Sequence, residues 1–126
     1  MRQILIEKYI HPSEIESDKD NIIEYWKNEY GENHNIFDHP SIVIYDKKMQ
    51  LIEQGWVENG QIHRDKNPAI IGYDDNNKIK FKKWFRRDVI YRDGNLPAEI
   101  YYEYGKVKDQ YWYKDGIEIK QQILNK

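Results

Sequence analysis

The sequence predicts an all-β protein, an antiparallel meander of about four β-hairpin repeats of 28 residues forming a twisted or coiled sheet. Three observations carry this expectation. The four prolines, Pro12, Pro40, Pro68 and Pro97, are spaced by 28, 28 and 29 residues. The four tryptophans, Trp26, Trp56, Trp84 and Trp112, are spaced by 30, 28 and 28. Short apolar runs are bounded by pairs such as Asn59-Gly60 and Asp115-Gly116, which suit the positive φ of two-residue hairpin turns. A period shared by two rare residue types marks a repeat array, in which each unit buries its apolar surface against its neighbours.

The chain reads as one domain, 1–126, divided into a degenerate first copy (1–30), a second (31–58), a third (59–86) and a fourth with a C-terminal cap (87–126). Each proline is followed by a small residue: Ser13, Ser41, Ala69 or Ala98. Proline has no N–H, so it belongs at the first residue of a strand or at an edge. The runs Ile42–Tyr45, Ile70–Tyr73 and Ile100–Tyr102 then read as strands. Ile62-His63-Arg64 recurs as Ile90-Tyr91-Arg92, 28 residues on. Turns are marked at 74–77, at Asp93-Gly94 and at Tyr104-Gly105. Each repeat is therefore strand, turn, short strand, proline turn, strand. Over 14–30 a short helix with Ile15, Ile22, Ile23 and Trp26 on one face is the alternative. The repeat register favours strand at 21–28, which aligns with 51–58.

Composition narrows the function classes. Charged residues make up 33% and mean hydropathy is −1.00. Disordered chains share those values but lack aromatic and β-branched residues, and here 14% of residues are aromatic. Net charge is −2, so no global field draws the molecule to nucleic acid or an anionic membrane. There is no cysteine, hence no disulfide, thiolate nucleophile or cysteine-ligated zinc. No apolar run approaches the ~18 residues of a membrane span. Glu7 and Lys8 interrupt the N-terminal apolar run, so a signal peptide is not expected. A cytoplasmic protein without membrane contact is the expectation.

No catalytic, metal or cofactor site is expected. His34, Asp38 and His39 fit no zinc spacing, and His11 and His39 share the position before proline. Ser13, Ser17 and Ser41 lack nucleophile surroundings. His63-Arg64-Asp65 alternates faces if extended, and its counterpart Tyr91-Arg92-Asp93 replaces the histidine. Arg64 and Arg92 are expected to stack on Trp or Tyr and bond turn carbonyls. With Asn59, Gly60, Pro68, Pro97 and Gly116 they are assigned to the structure of the repeat.

The binding residues follow from strand parity. Alternation along 78–85 places Ile79, Phe81 and Phe85 opposite Lys78, Lys80, Lys82 and Trp84. Along 106–113, Val107, Tyr111 and Tyr113 oppose Lys106, Lys108, Gln110 and Trp112. The expected working surface is a polar face carrying Trp56, Trp84 and Trp112 with Lys80, Lys82, Arg86, Arg87 and Lys108. Trp and Arg dominate binding hot spots, so a protein partner is expected. Nucleic acid or a nucleotide is the alternative, because basic residues alternate with Phe81, Trp84 and Phe85 along 78–87. A single-layer sheet leaves one face bare, so coiling, folding over or homodimerisation is expected.

Trp56-Val57-Glu58-Asn59-Gly60-Gln61-Ile62-His63-Arg64, followed by Pro68-Ala69, resembles the W-x-x-N-G-x-x-H-R-x-x-x-P-A repeat of bacteria, phages and large DNA viruses. That repeat is similar to the MORN-variant repeats, which are hairpin arrays. The resemblance is clear over 49–122 and weak over 1–48. It implies interaction rather than catalysis, since some MORN-variant proteins resemble immunity partners of toxins; the expectation is a protein that binds and blocks a partner, as an immunity-type protein or a phage counter-defence inhibitor does. The period is longer than in MORN repeats and their G-x-G glycines are missing.

Overall fold

The computed structural model describes residues 9–124. The apolar run over 1–8, with the start of the first copy, lies outside the described residues. In chain order the strands are β1 (Glu14–Ser17), β2 (Asn21–Tyr25), β3 (Ile42–Asp46), β4 (Leu51–Gly55), β5 (Val57–Glu58), β6 (Gln61–Ile62) and β7 (Ile70–Tyr73). They continue as β8 (Ile79–Lys83), β9 (Phe85–Arg86), β10 (Val89–Ile90), β11 (Glu99–Glu103), β12 (Lys106–Lys114) and β13 (Ile117–Ile123). Nine of them form one open antiparallel sheet in sequence order, β1-β2-β3-β4-β7-β8-β11-β12-β13. Two small hairpins, β5-β6 and β9-β10, stand between its members. Among the described residues no helix is long and apolar enough to cross a membrane.

Residues 14–25 are a hairpin, which overturns the helical alternative. The adjacent β-branched pair Ile22-Ile23 favours the extended chain. The whole of β2 pairs with β3, from Asn21↔Asp46 to Tyr25↔Ile42. The turn is closed by Asp18, whose carboxylate accepts the N–H groups of Asp20 (2.8 Å) and Asn21 (2.7 Å). Asp46 does the same for Lys48 and Gln50, and Asp74 for Asn76 and Lys78. Asp18, Asp46 and Asp74 are thus a third marker of the period. The shorter turns have both central residues at positive φ: Asn59-Gly60 (49° and 81°), Tyr104-Gly105 (54° and 78°) and Asp115-Gly116 (52° and 78°).

The unit is joined to the next at its tryptophan. The backbone N–H of Trp26 donates to Ser41 (2.9 Å), that of Trp56 to Ala69 (2.7 Å), and that of Trp84 to Ala98 (2.8 Å). In return Ser41, Ala69 and Ala98 donate to Gly55, Lys83 and Tyr111, the residues just before the following tryptophans. Ser41 and Ala69 are 0% exposed and Ala98 is 1%. This is why the residue after proline is small. The serine hydroxyl is accommodated because Ser41 Oγ accepts the Val57 N–H at 2.9 Å and donates to the Val57 carbonyl at 3.0 Å. Ala69→Val is therefore expected to cost about 1–3 kcal/mol in urea unfolding, while Ala69→Ser stays close to neutral. The reverse ranking would contradict the junction geometry.

Register divides the sheet into two faces. One carries the cross-strand row Val43, Gln54, Ile71, Lys82, Ile100 and Gln110. Val43 is 5% and Ile100 8% exposed, and Ile100 packs with Trp84 and Ala98. Residues of the 35–40 loop lie over this side, beside Val43 and Tyr45, so it is the loop face. The other face carries Tyr25, Ile42, Ile70, Lys83, Glu99 and Tyr111, with Ile44, Glu53, Gly72, Phe81, Tyr101 and Asp109 one pleat along. No side chain of these two rows is fully buried. Among the described residues each strand packs chiefly against its sheet neighbours; this side, opposite the 35–40 loop, is the open face.

Candidate binding surfaces

The expected tryptophan face is corrected by the structure. Trp56 is 8% and Trp84 7% exposed. Trp84 does stand on the side of Lys82, since it packs on Ile100, which pairs with Lys82, but that side is covered where β4 ends at Gly55 and β8 at Lys83. Each indole then tucks under a proline loop. The Nε1–H of Trp56, Trp84 and Trp112 donates to the carbonyls of Asp38 (2.9 Å), Lys66 (3.3 Å) and Asn95 (3.0 Å). Each acceptor stands two residues before its proline and has positive φ. The Arg64 guanidinium lies 3.8 Å from the Trp56 ring centre and that of Arg92 3.8 Å from Trp84. Both donate through Nη1 to a proline carbonyl at 3.0 Å, Arg64 to Pro68 and Arg92 to Pro97. Trp56 and Trp84 are thereby largely covered. Trp112 is half-buried, with Lys120 Nζ 4.5 Å above it.

The basic residues do not gather on one surface. Lys82 lies over Tyr102 (5.5 Å), Lys83 pairs with Glu99 (3.6 Å), and Lys108 with Glu103 (3.7 Å). Arg86 stacks on Tyr91 (4.1 Å) and reaches Asp93 (3.6 Å). Arg87 and Asp88 are the two central residues of the β9-β10 turn, both at positive φ without a glycine. Lys80 is exposed. Phe81 is on the open face and Lys82 on the loop face, so the 78–87 stretch is divided between faces.

The histidines hold turns in place. His63 Nδ1 accepts the backbone N–H of Arg87 at 3.1 Å, and His34 Nδ1 accepts that of Asn59 at 3.1 Å. With Nδ1 an acceptor, the His63 proton sits on Nε2 and faces Asp65 Oδ1 at 3.1 Å. His63 and Asp65 thus meet, two residues apart, but neither ring nitrogen is left free. His34 plays the part of His63 one unit earlier, a match hidden by the longer first spacing between tryptophans. Among the described residues no three acidic or histidine side chains converge to hold a metal ion.

The open face carries a polar-aromatic cluster that sequence reasoning missed. Phe81 and Tyr101 are 6.1 Å apart between ring centres, and Tyr101 meets Tyr111 edge-on at 5.9 Å. The Phe81 ring rests on Gly72, where a Cβ would stand 2.2 Å from it. The Glu99 carboxylate accepts both the Tyr101 hydroxyl (2.9 Å) and the Tyr113 hydroxyl (2.8 Å). Burial, followed by the bond to Glu99, pushes Tyr101 up to about 12 and raises Tyr113 as well. Burial also raises Glu53, against the pull of Lys83.

A pH prediction follows. A phenol whose value is raised on folding contributes fully below its unfolded value near 10 and loses that contribution as pH rises through the folded value. The urea midpoint is expected to fall between pH 10 and 12, and to fall less in Tyr101→Phe. Equal slopes in the two proteins would remove the buried Tyr101 phenol as the cause. No protein-family model, no curated protein and no solved structure matches the chain.

Proposed function

We propose that the protein is a non-enzymatic, cytoplasmic protein-binding module built like a MORN-variant hairpin array, and that it blocks its partner as an immunity-type or counter-defence inhibitor does. The observation that supports this is the open face. Ile42, Ile44, Ile70, Phe81, Tyr101 and Tyr111 lie side by side there, each half-buried, so that part of every one reaches the surface. Contiguous apolar surface of this kind marks interaction sites, and tyrosine and phenylalanine are enriched in them. On the same rows Glu53, Glu99 and Asp109 outnumber Lys83. The face therefore suits a partner that is apolar at the centre and basic around it. The working surface moves from the tryptophans to the opposite side of the sheet.

The test is quantitative capture from host lysate with the wild type and with Ile44→Lys/Ile70→Lys, followed by a binding titration of the recovered protein. About tenfold or greater weakening in the double variant is expected, with an unchanged unfolding temperature. Equal affinity would overturn the open face as the binding surface. Labelled single-stranded oligonucleotide is expected not to bind at low salt. Binding that falls steeply with salt would put the nucleic-acid reading first.

A further inference from the structure

Three of the four tryptophans carry a cation on the ring. Arg64, Arg92 and Lys120 each stand eight residues after their tryptophan, over Trp56, Trp84 and Trp112. Among the described residues Trp26 has none. The reason is a single substitution in the repeat. Asn35 holds the position of the arginine: it follows His34, whose N–H donates to the Trp26 carbonyl as those of His63 and Tyr91 do to Trp56 and Trp84. Its Nδ2–H bonds the Pro40 carbonyl at 2.7 Å, as Arg64 and Arg92 bond Pro68 and Pro97. Asn35 keeps the anchor but is too short to cover the indole.

A cavity of about 430 Å³ remains, lined by Trp26, Asn35, Phe37, Pro40 and Tyr45 among others. That volume falls in the range of ligand sites. Tyr45 stands five residues after Pro40, as Tyr73 does after Pro68 and Tyr102 after Pro97. Trp26, Asn35, Pro40 and Tyr45 thus hold the repeat positions of Trp56, Arg64, Pro68 and Tyr73. Phe37 stands on its rim, 71% exposed.

We propose that this cavity is a recognition site for an arginine side chain of another protein, whose guanidinium stacks on Trp26 beside Tyr45 and completes the first repeat from outside. A planar guanidinium suits the site better than an ammonium because it stacks flat on an indole. The Pro40 carbonyl keeps a second lone pair for it. The site is on the loop face and does not depend on the open face.

The test is an NMR titration of the indole N–H signals with N-acetyl-arginine amide and with its neutral isostere N-acetyl-citrulline amide, the Trp26 signal being assigned from Trp26→Phe. The arginine probe is expected to shift Trp26 saturably, with a midpoint on the order of millimolar for a ligand of this size. Trp56 and Trp84 stay still, and the citrulline probe binds about tenfold more weakly. Asn35→Arg fills the slot from within, abolishing the shift and raising the unfolding temperature. Equal shifts with the two probes, movement of Trp56 and Trp84 together with Trp26, or undiminished binding by folded Asn35→Arg would each overturn the proposal. So would binding that appears only in Arg2→Ala, which would place the chain's own arginine in the slot, and so would the absence of a shift in both proteins.

Discussion

Trp84→Ala is expected to lower stability by about 3–5 kcal/mol, the range for removing a large aromatic from a core. The indole is 7% exposed and packs with Ala98 and Ile100, with Ile90, Tyr102 and Tyr113 around them. Its loss also strands the Lys66 carbonyl that its N–H satisfies and the Arg92 guanidinium that lies on it. A chain of this length has about 5–15 kcal/mol in total, so the loss is a large fraction of the whole. Trp112→Ala, at a half-buried site, is expected to cost about 1–2 kcal/mol. Urea unfolding of the two variants checks the ranking. Equal losses would mean that the junctions between repeats are not the centres of the core.

The second large effect is expected at Arg64. Its side chain is 14% exposed, covers Trp56, and donates to Pro68 and through Nε and Nη2 to both Asp38 oxygens at 2.9 and 3.0 Å. It therefore ties two successive proline loops to one indole. Arg64→Ala is expected to cost about 2–4 kcal/mol, and Arg64→Lys about 1–3 kcal/mol, because an ammonium cannot make the three contacts at once. Asp38→Ala alone is expected to cost less than about 1 kcal/mol, since its carboxylate is 56% exposed. A double-mutant cycle separates the terms. A loss in Asp38→Ala as large as that in Arg64→Ala would make the ion pair, rather than the stack, the main contribution.

Much of the fold was legible in the chain because its period is written in residues that tolerate few substitutes. Proline, tryptophan and the small residue after proline each answer a local steric demand, and so survive in the same place in every unit. The arginine stack was legible for the same reason, eight residues after Trp56 and after Trp84. The burial of the tryptophans was not. Alternation along 78–85 places Trp84 on the side of Lys82, where it packs on Ile100, but parity cannot see that a proline loop covers that side. Asp18, Asp46 and Asp74 were a readable signal hidden among many other acidic residues. The Tyr101, Tyr111 and Glu99 cluster was out of reach, since it depends on which strands lie side by side across the register. The empty place on Trp26 could have been found by aligning His34-Asn35 with His63-Arg64, which puts asparagine where the other units carry a cation.

The strand order of the large sheet repeats the order of the chain, and each 28-residue unit adds one hairpin, hence an even number of strands. Duplicating or deleting a unit therefore leaves both terminal strands, their directions and the identity of each face as they were. Only the width of the open surface changes, by one hairpin at a time. An array of this kind can be matched to a larger or smaller partner by recombination within a gene, without any new residue having to be invented.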